Sequence, residues 1–288
     1  MKSLKELFRI GNGPSSSHTM GPKKAAEIFL SRHAEAASFT VTLYGSLAAT
    51  GKGHFTDTAI LSVLEPHAKT EIVWQPKVVL PRHPNGMNFK AFDSAANELD
   101  SWTVFSVGGG ALADEDGKPV GMEEGQGVEI YEMNTMTELL SWCEKGGRSY
   151  WEYVRESEGS DIWDYLEEVW LTMKSAVQKG LQEEGSLPGP LNLPRKAVSY
   201  FVRASGYTQT LKSRGLVFSY ALAVSEENAS GGKIVTAPTC GSSGVVPAVL
   251  YHLQTTRDFS TARILRALAT AGLIGNIVKH NASISGAE

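Results

Sequence analysis

The feature that most constrains the fold of this chain is a change in its hydrophobic pattern near residue 131. Before Tyr131, short alternating runs of apolar and polar residues, typical of half-buried strands, are mixed with helical stretches. After Thr137, apolar residues recur mainly at helical spacing. We therefore predict an α+β fold, with a mixed α/β sheet domain over residues 1–136 and a mostly all-α helical domain over residues 137–288.

Composition narrows the class of protein. The chain has 288 residues, with 27 basic and 31 acidic side chains and a net charge of −4. This balance excludes the electrostatic footprint of a nucleic-acid or membrane-surface protein. Its two cysteines, Cys143 and Cys240, exclude a disulfide scaffold, and we expect Cys143 to be a core residue. No apolar run approaches the ~18 residues of a membrane span, so we expect a soluble cytoplasmic protein.

Hydroxyl groups concentrate in the segment directly before the first predicted helix. Ser16, Ser17 and Thr19 surround His18 there, and Gly21-Pro22 opens the helix. A plain N-cap cluster explains one hydroxyl, because a cap needs only one side chain to accept from the free helical N–H groups. The surplus favours an anion site, since amides and hydroxyls at a helix start bind carboxylate or phosphate.

Five further segments concentrate glycine, histidine, cysteine and small polar residues. A turn, a bulge, a loop histidine or a buried structural thiol explains each one alone. A glycine-lined anion nest or a reactive thiol is the functional alternative. The last segment is the polar end, residues 279–288. The candidate residues in the other four are Lys52, His54 and Thr56, then His83 and Asn85, then Ser106, Gly108 and Gly109, and finally Thr239 and Cys240.

Taken together and in order, these motifs resemble the iron–sulfur-dependent L-serine dehydratases, also called L-serine ammonia-lyases. The resemblance covers the whole chain, with the first half similar to the family's β domain and the second to most of its α domain. The residues that carry it are Ser15–Pro22, Gly51–His54 with Thr56 and Asp57, His83–Met87, Ser106–Gly110, Thr236–Thr239 with Gly241, Gly244, Pro247 and Ala248, and Asn281–Glu288.

The resemblance implies conversion of L-serine to pyruvate and ammonia with a [4Fe–4S] cluster held by three protein cysteines. A Lewis-acidic iron makes hydroxide a better leaving group, and the Cα proton needs a positioned base. We favour His54 as that base, and His18 and His83 are alternatives for base or substrate positioning. The remaining candidates are expected to bind substrate: Ser16, Ser17, Thr19, Lys52, Thr56, Asn85, Ser106, Gly108, Gly109 and Thr239.

This chain departs from the family pattern in its number of cysteines, of which it has two. Cys240 is the one plausible cluster ligand, and many relatives carry the cysteine at the position of Ser243. The family's other ligands lie beyond the Asn281–Glu288 motif, so we expect the chain to be C-terminally incomplete. A homodimer, or a second chain that supplies the missing cysteines, is the expected assembly.

Two other hypotheses stay open on the sequence alone. The first half is similar to the allosteric substrate-binding domain of some phosphoglycerate dehydrogenases, which makes a non-catalytic module that binds serine or another small anion an alternative. The other is an unrelated anion-binding scaffold with an ordinary core thiol. Serine against threonine specificity is also left open.

We predict that the isolated 288-residue chain forms no intact cluster, because two thiols are fewer than a [4Fe–4S] cluster needs. Anaerobic reconstitution followed by iron and sulfide analysis checks this, and stoichiometric iron and sulfide would contradict it. Cys240→Ala and Ser243→Cys, compared in a chain extended by the expected cysteines, decide which loop position binds iron.

Overall fold

The computed structural model of the chain describes residues 1–122 and 127–282. They form two compact units, the sheet unit (Asn12–Glu123) and the helical unit (Met1–Gly11 with Glu124–Glu288). A mixed sheet followed by a mostly helical region confirms the α+β fold class. Residues 1–11 group with the helices, although they precede the sheet unit in the sequence. The family-type domains 1–136 and 137–288 stay a prediction.

The N-terminal segment belongs to the core of the helical unit. Leu4, Leu7 and Phe8 are buried in its main apolar cluster, and strand β1 (Arg9–Asn12) follows them. The Asn276 side-chain amide donates to the Lys2 carbonyl at 2.7 Å. The amphipathic start of the chain is therefore a structural part of the helical unit.

The sheet unit is a six-stranded mixed sheet with helices packed against it. Its elements are α1 (Gly21–Arg32), β2 (Ser38–Tyr44), α2 (Gly45–Thr50), α3 (Thr56–Leu64), β3 (Lys69–Gln75), β4 (Gly86–Phe92), β5 (Glu98–Ser106), β6 (Leu112–Ala113) and β7 (Pro119–Val120). The strand order is β3-β2-β4-β5-β6-β7, in which β2 and β3 are parallel and the other neighbours antiparallel.

Strand β2 lies inside this sheet and has the predicted alternation. Phe39, Val41 and Leu43 point into the core, where Phe29 of α1 packs against Phe39 and against Phe89 of β4. We did not predict β4, although its side chains also alternate between buried and half-buried positions. Strand β4, which contributes Phe89 to the sheet core, begins at the glycine of the Asn85-Gly86 turn signal.

Two predicted strand-like runs are wrong. Residues 78–80 form no strand, and Val78 and Val79 are exposed, because prolines at 76 and 81 interrupt the run and Pro81 has no N–H to donate. Residues 128–131 contribute only an isolated bridge between Lys2 and Glu129.

The helical unit packs its helices around a core dominated by α6. Its elements after residue 126 are α4 (Met136–Gly146), α5 (Tyr150–Glu158), α6 (Ile162–Gly180), α7 (Ala197–Ser205), α8 (Gln209–Ala229), β8 (Lys233–Thr236), α9 (Val245–Arg257) and α10 (Thr261–Asn281). Leu166, Val169 and Trp170 of α6 are buried in the core, and β8 pairs with β1. Cys143 of α4 is half-buried, so the core assignment of that thiol is wrong.

Helix α10 is long and apolar enough to cross a membrane on length and composition alone, contrary to our expectation that no segment would be. In this fold it packs against α5 and α6, and Ile264, Leu268 and Leu273 are buried in the helical core. These contacts are those of a core helix.

We predict that Gly180→Ala destabilises the protein. A Cβ on Gly180 would lie 2.2 Å from the Ala223 carbonyl oxygen of α8, which is backbone and cannot move aside alone. Alanine normally stabilises a helix relative to glycine by about 0.5–1 kcal/mol, whereas this clash should lower the free energy of unfolding by about 1–3 kcal/mol. Urea denaturation measures the change.

Gly275→Ala is the matched control, because a Cβ there meets only a Leu7 methyl group at 3.4 Å. Equal unfolding free energies for the two variants would contradict the close approach of α6 and α8.

Candidate functional site

Two threonine hydroxyls join two candidate loops of the sheet unit. The Thr19 hydroxyl donates to the His54 carbonyl at 2.7 Å, and the Thr56 hydroxyl donates to the His18 carbonyl at 2.5 Å. His18 lies in a π-helical turn, Ser16–Met20, a rare conformation whose instances are frequently found at functional sites. As a result the His18 and His54 rings lie 4.8 Å apart between centroids.

His18 is held at both ring nitrogens. Its Nδ1 is hydrogen-bonded to the Ser17 hydroxyl at 2.9 Å and its Nε2 to the Ser46 hydroxyl at 3.1 Å. Burial, and then the nearby His54 ring, lower the pKa of His18 to about 4. A neutral imidazole carries one donor and one acceptor, and a hydroxyl partners with either. His18 is therefore a neutral, fixed ring at physiological pH.

His54 has a different hydrogen-bonding state. It ends the turn Gly51–His54, and its Nδ1 lies 3.0 Å from the Thr50 carbonyl oxygen. A carbonyl oxygen only accepts, so Nδ1 must carry the proton. In the neutral ring, Nε2 is then the unprotonated nitrogen, which is the form that a general base requires.

The third histidine, His83, carries its proton on the opposite ring nitrogen from His54. The Asn85 backbone N–H donates to His83 Nδ1 at 3.1 Å, so the neutral ring carries its proton on Nε2. Burial lowers the pKa of His83, which favours this neutral form. His83 is thus a hydrogen-bond donor at its outer nitrogen, whereas neutral His54 is an acceptor.

Asn85 and Ser106 meet at the next loop junction. The Asn85 amide donates to the Ser106 carbonyl at 3.3 Å, and the Ser106 N–H donates to the Asn85 carbonyl at 3.0 Å. Asn85 Oδ1 and Ser106 Oγ are buried and have no hydrogen-bond partner among the described residues. A Cβ on Gly21 would lie 2.3 Å from Ser106 Oγ, so glycine is required where α1 begins.

The glycine run after β5 has positive φ throughout. Gly108, Gly109 and Gly110 have φ values of +101°, +58° and +75°. Glycine adopts positive φ without the steric penalty of a side chain, so these three residues allow the chain to turn sharply after β5.

The other predicted site residues are placed as follows. Ser16 and Thr19 are buried in the π-helical turn, and Thr56 is fully buried at the start of α3. The hydroxyl protons of Thr19 and Thr56 are used on backbone carbonyls, which leaves those oxygens only as acceptors. The Lys52 ammonium lies 5.5 Å over the Trp74 ring. Thr239, Cys240 and Ser243 lie in the helical unit, and a site that they share with His54 stays a prediction.

Sequence reasoning missed Ser46. It follows Gly45 at the end of β2, and its N–H donates to the Pro84 carbonyl at 2.9 Å. The available signal is a glycine followed by a serine at a strand-to-helix junction, where positive φ and hydroxyl groups commonly serve a site.

The thiols of the chain do not fit a [4Fe–4S] cluster. Cys240 is buried in the loop before α9, and Cys143 is a half-buried residue of α4 whose pKa is raised, first by burial and then by nearby glutamates. Within residues 1–122 and 127–282, no three His, Cys, Asp or Glu side chains are grouped so that they could hold a metal ion. Most of the polar end, from residue 283, lies outside the described residues.

Comparison with known families identifies the chain. The model described as "Serine dehydratase beta chain" matches residues 3–68, and the one described as "Serine dehydratase alpha chain" matches residues 61–288. The chain belongs to the serine dehydratase family. Membership in the serine dehydratase family contradicts the hypothesis of an unrelated anion-binding scaffold.

Curated members of the serine dehydratase family match the chain from end to end. The L-serine dehydratase of Haemophilus influenzae is 36% identical over 100% of this chain and 74% of the relative. L-serine dehydratase 1 of Escherichia coli is 36% identical, also over 100% and 74%. The Streptomyces coelicolor L-serine dehydratase is 36% identical over 99% and 73%. The first alignment spans 339 positions, 51 more than the 288 residues here, so that relative carries internal segments that this chain lacks.

We predict that His18 makes stability depend on pH. Its folded pKa of about 4 lies below an unfolded value of about 6.5, so the unfolded chain binds the proton first. The contribution is complete above about pH 6.5 and is lost as the pH falls towards 4. In urea denaturation at pH 7, 5.5 and 4.5, the stability gap between the parent chain and His18→Gln should shrink steadily.

The exposed His67 provides the control for this measurement. His67→Gln should give curves that follow those of the parent chain. If the difference in unfolding free energy between the parent chain and His18→Gln were constant over this pH range, His18 would not be held neutral in the folded protein.

Proposed function

We propose that this chain functions in the deamination of L-serine to pyruvate and ammonia. Curated relatives that match its whole length are named L-serine dehydratases. The observation that carries the proposal is the hydrogen bond between His54 Nδ1 and the Thr50 carbonyl. It leaves Nε2 of a neutral His54 as an acceptor, inside a loop cluster rich in hydroxyls and glycine amides.

In this proposal the loops of the sheet unit bind the amino acid. The loop that contains Gly108, Gly109 and Gly110 lies against the carboxylate, with Ser16 and Ser17 as donors to it, as the family resemblance implies. The side-chain oxygens of Asn85 and Ser106, which have no partner in the described structure, contact the polar groups of the substrate. Lys52 and Thr239 stay predicted substrate contacts on the strength of the family resemblance.

The proposed reaction begins when His54 Nε2 takes the Cα proton. The C–H electron pair forms the Cα–C3 double bond as the C3–O bond breaks, and the departing hydroxide becomes water when it takes up a proton. The aminoacrylate tautomerises to an imine, and hydrolysis of the imine gives pyruvate and ammonia. His83, with its proton on Nε2, orients the substrate as a donor and does not act as the base.

The cluster implied by the family needs thiolates that this chain does not provide by itself, so we derive no step through it. We propose that Cys240, or the position of Ser243, contributes one ligand and that further cysteines come from additional polypeptide. A cytoplasmic homodimer, or a complex with a second chain, is the assembly we expect.

The test combines binding and turnover. Calorimetry should detect L-serine binding to the chain. Pyruvate release is measured anaerobically on the chain extended by the quarter of the Haemophilus influenzae relative that the match leaves uncovered. His54→Gln should keep the L-serine Kd within about threefold and lower pyruvate release by at least ~10²-fold, as expected when a general base is removed. L-threonine, assayed in parallel, measures specificity.

His67→Gln serves as the matched control and should leave both readouts unchanged. L-serine binding without pyruvate release from the extended parent chain would favour the alternative, a non-catalytic serine-binding module. If L-serine did not bind, the substrate assignment itself would be wrong.

A further inference from the structure

Ser46 is placed by the backbone and not by its side chain. The Gly45 N–H donates to the Val78 carbonyl at 2.8 Å, and the Ser46 N–H donates to the Pro84 carbonyl at 2.9 Å. Gly45 has φ +49°, and a Cβ there would lie 2.5 Å from the Pro84 oxygen. The main chain is therefore pinned against the 83–85 loop, which leaves the Ser46 hydroxyl available to His18.

The Ser46 hydroxyl controls how the His18 ring turns. The Ser17 and Ser46 hydroxyls hold the two nitrogens of this ring at 2.9 and 3.1 Å. Rotation of the ring by half a turn would break both bonds, because the nitrogens would leave their partners. Ser17 is the neighbour of His18 in sequence and moves with it. Ser46 is 28 positions away, so its hydroxyl ties the ring to a different loop.

The His18 ring in turn contacts His54, with centroids 4.8 Å apart and ring planes inclined by 40°. We infer that Ser46 is a positioning residue: through His18, its hydroxyl holds the His54 imidazole in the orientation needed for proton abstraction. The inference rests on the proposed role of His54 as the base. Ser46 itself touches no reacting atom in this scheme.

The test is Ser46→Ala, which removes the hydroxyl and keeps both backbone hydrogen bonds. Long-range ¹H–¹⁵N spectra of the chain report the tautomer of each histidine. In the parent, His18 and His54 should each show one tautomer. In Ser46→Ala, His18 should show a mixture and the His54 signals should broaden or shift. In the extended chain, kcat should fall about tenfold with KM nearly unchanged, which is the signature of a misaligned base.

Ser46→Thr should restore both the spectra and the rate, because it keeps the hydroxyl. Ser62→Ala is the control: the Ser62 hydroxyl donates to the Ala59 carbonyl of its own helix, so the histidine spectra should not change. Unchanged His18 and His54 signals in Ser46→Ala would overturn the inference, and so would a change confined to His18. If Ser46→Ala altered the signals of both rings but left the rate normal, His54 would not be the base. Ser46 would then still position the two rings.

Discussion

Two crossed hydroxyl-to-carbonyl hydrogen bonds, Thr19 to His54 and Thr56 to His18, hold the candidate site of the sheet unit together. Each threonine satisfies the carbonyl of the histidine in the other loop. Thr56 is fully buried, so the hydrogen bond that it donates to the His18 carbonyl is formed inside the sheet unit and joins the two loops there. The close approach of the His18 and His54 rings depends on this pairing.

Hydrogen-bond partners, more than residue type, separate the roles of the three histidines. A carbonyl at Nδ1 of His54 fixes the proton there, and a backbone N–H at Nδ1 of His83 fixes it on the opposite nitrogen. His18 lies between two hydroxyls and stays neutral. In the neutral state, His54 is therefore a hydrogen-bond acceptor and His83 a donor at the outer ring nitrogen, and His18 bridges two hydroxyls. The three imidazoles of the sheet unit thus have three different chemical roles.

Family membership and cysteine content bear on different questions. The match over the whole chain establishes descent, and the glycine run of the sheet unit has positive φ at Gly108, Gly109 and Gly110. Cys143 and Cys240 are the two thiols, and they do not make up a cluster ligand set. The proposed binding of the amino acid and the proposed metal centre can therefore be tested separately. Ser243, whose buried hydroxyl has no hydrogen-bond partner among the described residues, is the loop position at which the second proposal can be examined.

Local pattern was enough to predict the α+β class, the alternation of β2 and the candidate loops, because apolar periodicity and clustered glycine, serine and histidine are properties of neighbouring residues. It missed β4, whose partners β2 and β5 lie in other parts of the sequence. It also did not show that Thr19 and Thr56 donate to backbone carbonyls, and their predicted contacts with substrate stay a prediction. The sequence by itself determined which residue types were available for chemistry. Only the tertiary structure decided which nitrogen of each histidine carries the proton and that Ser46 faces His18, because those choices depend on hydrogen bonds between loops that only folding brings together.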